Sequence, residues 1–333
     1  MTITTPAAGQ MEDESDMSDL GGLHHVTAIA ADPAENLDFY TRVLGMRLVK
    51  RSVNQDDPGT YHLFYADAEG HPGTDLTFFP WPHMARGRKG TGLTVEVALA
   101  ISPDTFSFWS DRLARHDVAA HPEERFGERA LRLSDPHGLE LALVETADAR
   151  DFTIWEASPV EEAAQIRGLH GARLWERDLA ASADFLTGVL GFSAAESEGG
   201  WHRFGLGDGG SGRRLEIREL RAEPRGVWGH GSVHHVAWRV SDEEAQLAMR
   251  RAVAEAGRRP TEVIDRFWFK SVYFLEPGGV LFELATDGPG FAVDETPEEL
   301  GSRLILPPWL EPRRAAIEGA LPPLQAADHS RRS

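Results

Sequence analysis

Residues 22–30 read GLHHVTAIA, and residues 168–176 read GLHGARLWE. The two stretches share Gly-Leu-His at an offset of 146 residues, and the offset persists without a gap: Asp38-Phe39 recurs as Asp184-Phe185, and Leu44-Gly45 as Leu190-Gly191. A repeat at a fixed period marks a duplicated unit and takes precedence over local propensity in deciding the fold. A weaker relation runs at an offset of 141. There Ser134-Asp135-Pro136-His137-Gly138-Leu139 matches Leu275-Glu276-Pro277-Gly278-Gly279-Val280, and Arg125 falls on Arg266.

Working outward, four stretches share one local grammar. Each begins with a short apolar strand: LHHVTAIA (23–30), LTVEVALAI (93–101), LHGARLWE (169–176) and VHHVAWRV (233–240). A capped helix follows each time. Asp32-Pro33 opens the first, with Glu35 behind it, Ser102-Pro103 the second and Asp178 the third; Ser241 opens the fourth, with Glu244 closing a capping box. Apolar residues recur at helical spacing, as in Leu37, Tyr40, Val43 and Leu44, or Phe106, Trp109 and Leu113. Gly45, Gly191 and Gly257 stop three of these helices. Two or three strands then follow, separated by Gly, Pro and Asp turns.

The unit is βαβββ, and one such unit leaves a sheet face bare. The expected fold is therefore α+β: four βαβββ modules paired into two cup-shaped mixed sheets. The expected division is an acidic, disordered leader (1–20), an N-terminal domain of two modules (21–150), and a C-terminal domain of two modules (151–295). An extension (296–333) ends the chain, with a short helix between Glu311 and Leu321 and a disordered tail.

The composition is that of a globular protein, with 41% hydrophobic and 26% charged residues in a 333-residue chain. No apolar run approaches the roughly 20 residues of a membrane span, and no basic segment leads into an apolar one at the start. A net charge of −19 repels nucleic acid phosphates and anionic lipid. The absence of cysteine excludes disulfides, thiolate ligands and Cys nucleophiles, and fits a reducing compartment. These features give the expectation of a cytoplasmic enzyme without nucleic acid or membrane partners, for which a homo-oligomer stays open.

Comparing the units position by position locates a site. The first strands carry His25, Thr94, Gly171 and His235 in register, and the last strands Thr77, Ala142, Glu216 and Glu283. If units one and four pair, one cavity holds His25, Thr77, His235 and Glu283. The other, from units two and three, then holds only Glu216 as a possible ligand and is expected to be metal-free. Two His and one carboxylate on separate strands form the ligand set of a non-haem Fe(II) centre, with positions left open for substrate and O2. Both His stand in doublets, His24-His25 and His234-His235. Side chains alternate along a strand, so one member of each doublet faces the cup and the other sits behind it as a hydrogen-bonding or core residue. Glu283, between Phe282 and Leu284, needs a compensating cation if buried.

The chain resembles the vicinal-oxygen-chelate superfamily, and within it the hydroquinone 1,2-dioxygenase group. The resemblance is carried by LHHVTAIA, by LVKRSVNQDDPGTYHLFYADAEGHPGTDLTFFPWP (48–82), by VHHVAW, and by DRFWFKSVYFLEPGGVLFELATD (265–287). It implies Fe(II), or alternatively Mn(II), on His25, His235 and Glu283, and pocket residues at His24, Thr27, His234, Arg266 and Tyr273. The implied activity is cleavage of a hydroquinone- or catechol-type ring by O2. Tyr273 and His234 would handle protons and Arg266 would stabilise an oxyanion; the alternatives are that Tyr273 is strand core and that Arg266 forms a structural salt bridge with Asp265 or Glu276. Phe267, Trp268 and Phe269 would either wall the ring or serve as packing, and His62 is placed either in the cavity or in the core. Two other readings stand beside this one. A glyoxalase-like lyase or isomerase would draw a fourth ligand from the position of Thr77, and a metal-free binding protein would have no use for the His/His/Glu set.

Overall fold

The computed structural model describes residues 20–148, 150 and 152–324; the expected disordered leader, apart from Leu20, and the end of the tail lie outside them. Each unit forms as the repeat predicts. Unit one comprises β1 (Leu23–Ala30), α1 (Pro33–Asp38), β2 (Arg47–Asn54), β3 (Asp57–Ala66) and β4 (Asp75–Pro80). Unit two comprises β5 (Leu93–Ile101), α2 (Phe106–Arg115), β6 (Ala120–Arg125), β7 (Glu128–Ser134) and β8 (Glu140–Glu145). Unit three comprises β9 (Gly168–Glu176), α3 (Leu179–Gly188), β10 (Ser193–Glu198), β11 (Trp201–Gly205) and β12 (Arg214–Glu219). Unit four comprises β13 (Val233–Val240), α4 (Glu243–Glu255), β14 (Ile264–Asp265), β15 (Lys270–Leu275) and β16 (Leu281–Thr286).

The strands form two eight-stranded mixed sheets, ordered β14-β15-β16-β13-β1-β4-β3-β2 and β10-β11-β12-β9-β5-β8-β7-β6. Units one and four therefore share one sheet, and units two and three the other. The sequence boundary near residue 150 separates units but not sheets. In each sheet the two first strands meet antiparallel at the centre, and each pairs in parallel with its own unit's last strand. β1 is buried along all eight residues, as a central strand covered on both faces should be. The first sheet curls until its edges meet: Gln55, just beyond β2, donates through Nε2 to the Arg266 carbonyl, just beyond β14, at 2.9 Å.

Local details follow the capping logic with two shifts. Asp32 and Asp178 cap as expected, accepting from Glu35 N (2.9 Å) and Ala181 N (3.2 Å). The fourth helix is capped by Asp242, which accepts from Ala245 N, and not by Ser241. The carboxylate offers a full charge to the helix N-terminus, and it lies one residue nearer the amides that need it. The second helix starts at Phe106, after a turn in which the Thr105 hydroxyl donates to the Ser102 carbonyl. Gly278, in the turn before β16, makes room for a neighbouring side chain: a Cβ there would lie 1.6 Å from Glu176 Oε2.

Beyond β16 the chain leaves the repeat and wraps the first sheet. Leu304 bridges Arg51 at the free edge of β2, and Ile305 N donates to the Arg51 carbonyl. The Tyr61 hydroxyl donates to the Pro322 carbonyl. The extension's helix, α5, spans Arg314–Ala320 and buries Ile317.

Candidate metal centre

His25 on β1, His235 on β13 and Glu283 on β16 converge on the inner side of the first sheet. His25 Nε2 and His235 Nε2 are 3.1 Å apart, and Glu283 Oε2 lies 3.2 Å from the first and 2.9 Å from the second. All three residues are buried, and among the described residues they are the one group of His, Cys, Asp or Glu placed to hold a metal ion.

The doublets reach this arrangement by a route that simple alternation misses. Leu23 pairs with Trp238 and His25 with Ala237, so His24 is an extra residue in β1; Thr27 pairs with His235 and Ala28 with Val233, so His234 is an extra residue in β13. Each outer histidine thus sits in a β-bulge, a device that re-aims side chains beside active sites. The bulges bring each outer ring against the inner one: His24 Nδ1 is 2.9 Å from His25 Nδ1, and His234 Nδ1 is 2.8 Å from His235 Nδ1.

These contacts fix the proton positions. His24 Nε2 faces the Thr286 carbonyl at 3.2 Å, which only accepts, so that nitrogen carries the hydrogen. Burial, then the neighbouring His25, pushes the His24 pKa down to about 3, so the ring is neutral and its Nδ1 accepts. His25 must then donate from Nδ1, which leaves the Nε2 lone pair pointing at the centre. His234, likewise pushed down to about 3 by burial and then His235, is also neutral, and one hydrogen lies between its Nδ1 and that of His235; where His235 carries it, Nε2 of His235 is free.

With His235 in the same tautomer as His25, the site gathers three lone pairs with no donor among them. Glu283 Oε2 is buried and accepts no hydrogen bond, while the Ser271 hydroxyl donates to Oε1. Burial would raise the Glu283 carboxyl, and positive charge at the His25 and His235 positions is what brings it well below the usual carboxylate range; with both rings neutral, that charge has to come from a bound cation. Three acceptors about 3 Å apart match donors at right angles around an ion with bonds of about 2.1 Å. A cation is what this donor set lacks.

The second cup makes the contrast. Its Glu216 accepts from Arg173 Nε at 2.6 Å and from Arg203 Nη2 at 2.7 Å. Arg125 is bonded to Glu96 beside it. Guanidinium groups there supply the positive charge that the first cup leaves unmet.

A cavity of about 40 Å³ opens onto His25 and His235. Of the residues expected from sequence, Arg266, Trp268 and Tyr273 line it with the two inner histidines, whereas His24, Thr27, His234 and Glu283 are not among its lining residues. The Thr27 hydroxyl bonds that of Thr77 at 2.7 Å, and His62 Nε2 bonds the Thr77 hydroxyl at 2.9 Å. His62 itself faces the cavity. Arg266 bridges Asp56 at 2.9 Å across the mouth, a partner in neither of its sequence neighbours, Asp265 and Glu276. Its guanidinium also lies 5.5 Å from the Tyr273 ring centre. Burial, then Glu283, pushes the Tyr273 phenol up, so it keeps its proton at neutral pH. Sequence reasoning missed Asn54, Gln55 and Asp56 at the mouth and Phe64 and Phe79 in the wall. All five lie within the stretch 48–82 that carried the resemblance, but nothing in their residue types marks them.

Comparison with known proteins agrees with this architecture. Residues 22–143 and 168–284 match the model of the Glyoxalase/Bleomycin resistance protein/Dioxygenase superfamily. MhqO of Bacillus subtilis (strain 168), provisionally named a ring-cleaving dioxygenase, is 42% identical over 310 residues, 92% of this chain and 97% of that protein. The chlorohydroquinone/hydroquinone 1,2-dioxygenase of Sphingobium indicum is 32% identical over 302 residues, 87% of this chain and 92% of that one. A crystal structure from Bacillus subtilis, provisionally named a dioxygenase, superposes with a TM-score of 0.87 at 41% identity, covering 93% of this chain and 99% of its own. Glyoxalase I from Zea mays shares the fold at a TM-score of 0.60 and 17% identity, over 80% of this chain and 92% of its own. The chain belongs to the glyoxalase/bleomycin resistance protein/dioxygenase superfamily.

Proposed function

We propose that this protein is an Fe(II)-dependent ring-cleaving dioxygenase that inserts O2 into a hydroquinone- or catechol-type ring. One observation carries the reading: three buried lone-pair donors, His25 Nε2, His235 Nε2 and Glu283 Oε2, converge beside a cavity walled by aromatic rings. The names of its relatives, a ring-cleaving dioxygenase and a hydroquinone 1,2-dioxygenase, support it. Fe(II) held by the three residues would supply a Lewis acid with open positions for a phenolate oxygen and O2.

The chain's own residues do the rest. His24 and His234 hold the two ligand rings in the tautomer that presents Nε2. Tyr273 stays protonated and stands beside His235 as a hydrogen-bond donor, with ring centres 5.5 Å apart. Arg266 brings a fixed positive charge to the same wall, where an oxyanion on the opened ring would gather. Phe79, Trp268 and Phe269 keep water from the ring. The cavity is smaller than the roughly 150 Å³ that admits benzene elsewhere. A ring therefore enters only when the mouth, crossed by the Asp56–Arg266 bridge, widens.

Thr77 occupies the position from which a lyase would take its fourth ligand. Its hydroxyl is tied up by Thr27 and His62, which favours a three-ligand site. The test is anaerobic reconstitution with Fe(II), then O2 uptake with a panel of hydroquinones and catechols beside a Glu283→Ala control. Iron-dependent uptake with loss of ring absorbance, absent in the control, is expected. Bound metal without uptake on any ring would overturn the reading in favour of lyase or isomerase chemistry.

A further inference from the structure

Lys50 lies on β2 with its ammonium fully buried, an arrangement that costs heavily unless every donor is met. Here all three are. Lys50 Nζ donates to Asp294 Oδ1 at 2.6 Å, to Glu295 Oε2, and to the Phe291 carbonyl at 3.1 Å. All three acceptors belong to the segment that follows β16, outside the repeat.

The second oxygen of Asp294 is also used. Trp268 Nε1 donates to Asp294 Oδ2 at 3.0 Å, and Lys50 Nζ stands 5.4 Å from the Trp268 ring centre. The Trp268 carbonyl accepts from Gly290 N at 2.8 Å, so the same segment grips the backbone too. Trp268 is 1% exposed and walls the cavity in front of His25 and His235. The residue before it, Phe267, has a positive φ of 76°, but so does its repeat equivalent Phe126 at 50°, so that turn belongs to the duplicated unit.

The repeat shows that this assembly is confined to one cup. At the offset of 146, Lys50 falls on Glu196 in β10; at the offset of 141, Trp268 falls on Gly127. The cup without the His/His/Glu set has neither the ammonium nor the indole. Burying a lysine where the duplicated unit has a glutamate is unneeded for the fold itself, because the second cup folds without it.

We propose that Lys50, acting through Asp294, is a positioning residue that fixes the Trp268 indole as the flat wall against which the aromatic ring lies. This rests on the ring-binding reading above. A fixed wall lowers the cost of ordering the ring and should appear in ring affinity, not in metal affinity.

The test uses full-length protein loaded anaerobically with Fe(II) and titrated with 4-nitrocatechol, followed by its visible absorption. Asp294→Ala and Trp268→Phe are each expected to weaken probe binding about 5- to 10-fold with metal content unchanged. The double variant is expected to be no weaker than the worse single one, because both act through one ring. Asp294→Asn, which keeps the shape, replaces Asp294→Ala if that variant fails to fold. Variants that lower Tm but bind the probe within twofold of wild type, or losses that simply add, would overturn the proposal and leave the ion cluster a structural tie. A wild-type protein that binds metal but no probe would overturn the ring-binding reading itself, and this inference with it.

Discussion

Glu176 offers a quantitative test of how the two sheets are joined. It ends β9 with its carboxyl fully buried, and neither oxygen finds a hydrogen-bond donor. Burial, then the charge of Glu276 beside it, pushes its pKa from the ordinary 4.5 up to about 9, with Arg225 pulling weakly the other way. Glu276 already accepts from the Ser182 hydroxyl and Val280 N, both at 2.9 Å. Two carboxylates side by side can bond only if one keeps a proton, and Glu176 is the one that does. The folded state therefore binds a proton that the unfolded chain releases above about pH 4.5. The resulting stabilisation is fully present below that pH and is lost as pH rises towards about 9. Each pH unit in that window costs about 1.4 kcal/mol, so the upper bound at pH 8 is about 5 kcal/mol. Glu176→Gln keeps a neutral donor in place but must still bury an amide, so a gain of about 2–3 kcal/mol at pH 8 is expected, shrinking towards zero near pH 5. Urea unfolding of both proteins across pH 5 to 9 measures the difference directly. Curves that stay parallel over that range, or a glutamine variant that is less stable throughout, would refute the reasoning.

Other perturbations test the site piece by piece. His24→Gln disturbs the ring that holds His25 in its ligating tautomer and should weaken metal binding about 10- to 100-fold by competition titration, with Tm of the metal-free protein little changed. Thr77→Val leaves the Thr27 hydroxyl and His62 Nε2 without their shared partner, and should cost about 1–3 kcal/mol in chemical denaturation. Asp56→Ala removes a bridge whose carboxylate is 75% exposed. It should change stability by less than about 1 kcal/mol, yet speed the association of an aromatic probe in stopped-flow mixing. Unchanged association would mean that the mouth opens elsewhere.

The fold was legible because the chain repeats itself. The offsets of 146 and 141 placed every strand-helix-strand unit, and they singled out His25, His235 and Glu283 as the positions where one cup differs from the other. What remained hidden depends on backbone detail that residue types do not encode. Strict alternation places His24 and His234 on the far face, whereas the bulges at those residues turn both rings towards their neighbours. The fourth helix starts one residue later than Ser241 suggests because Asp242 is the stronger cap. Arg266 had two acidic residues nearby in sequence and found Asp56 across the curled sheet. Nothing in the residues around Lys50 marks it, since its partners Asp294 and Glu295 lie more than two hundred residues away. Long-range closure of this kind is invisible to a reading built on spacing.

The most direct test of the central claim is a single turnover of the Fe(II)-loaded protein with a hydroquinone under ¹⁸O-labelled O2, with the product analysed by mass spectrometry. The account predicts a ring-opened product that carries both labelled atoms, and no such product from Glu283→Ala. An intact ring, or a ring-opened product without label from O2, would contradict it.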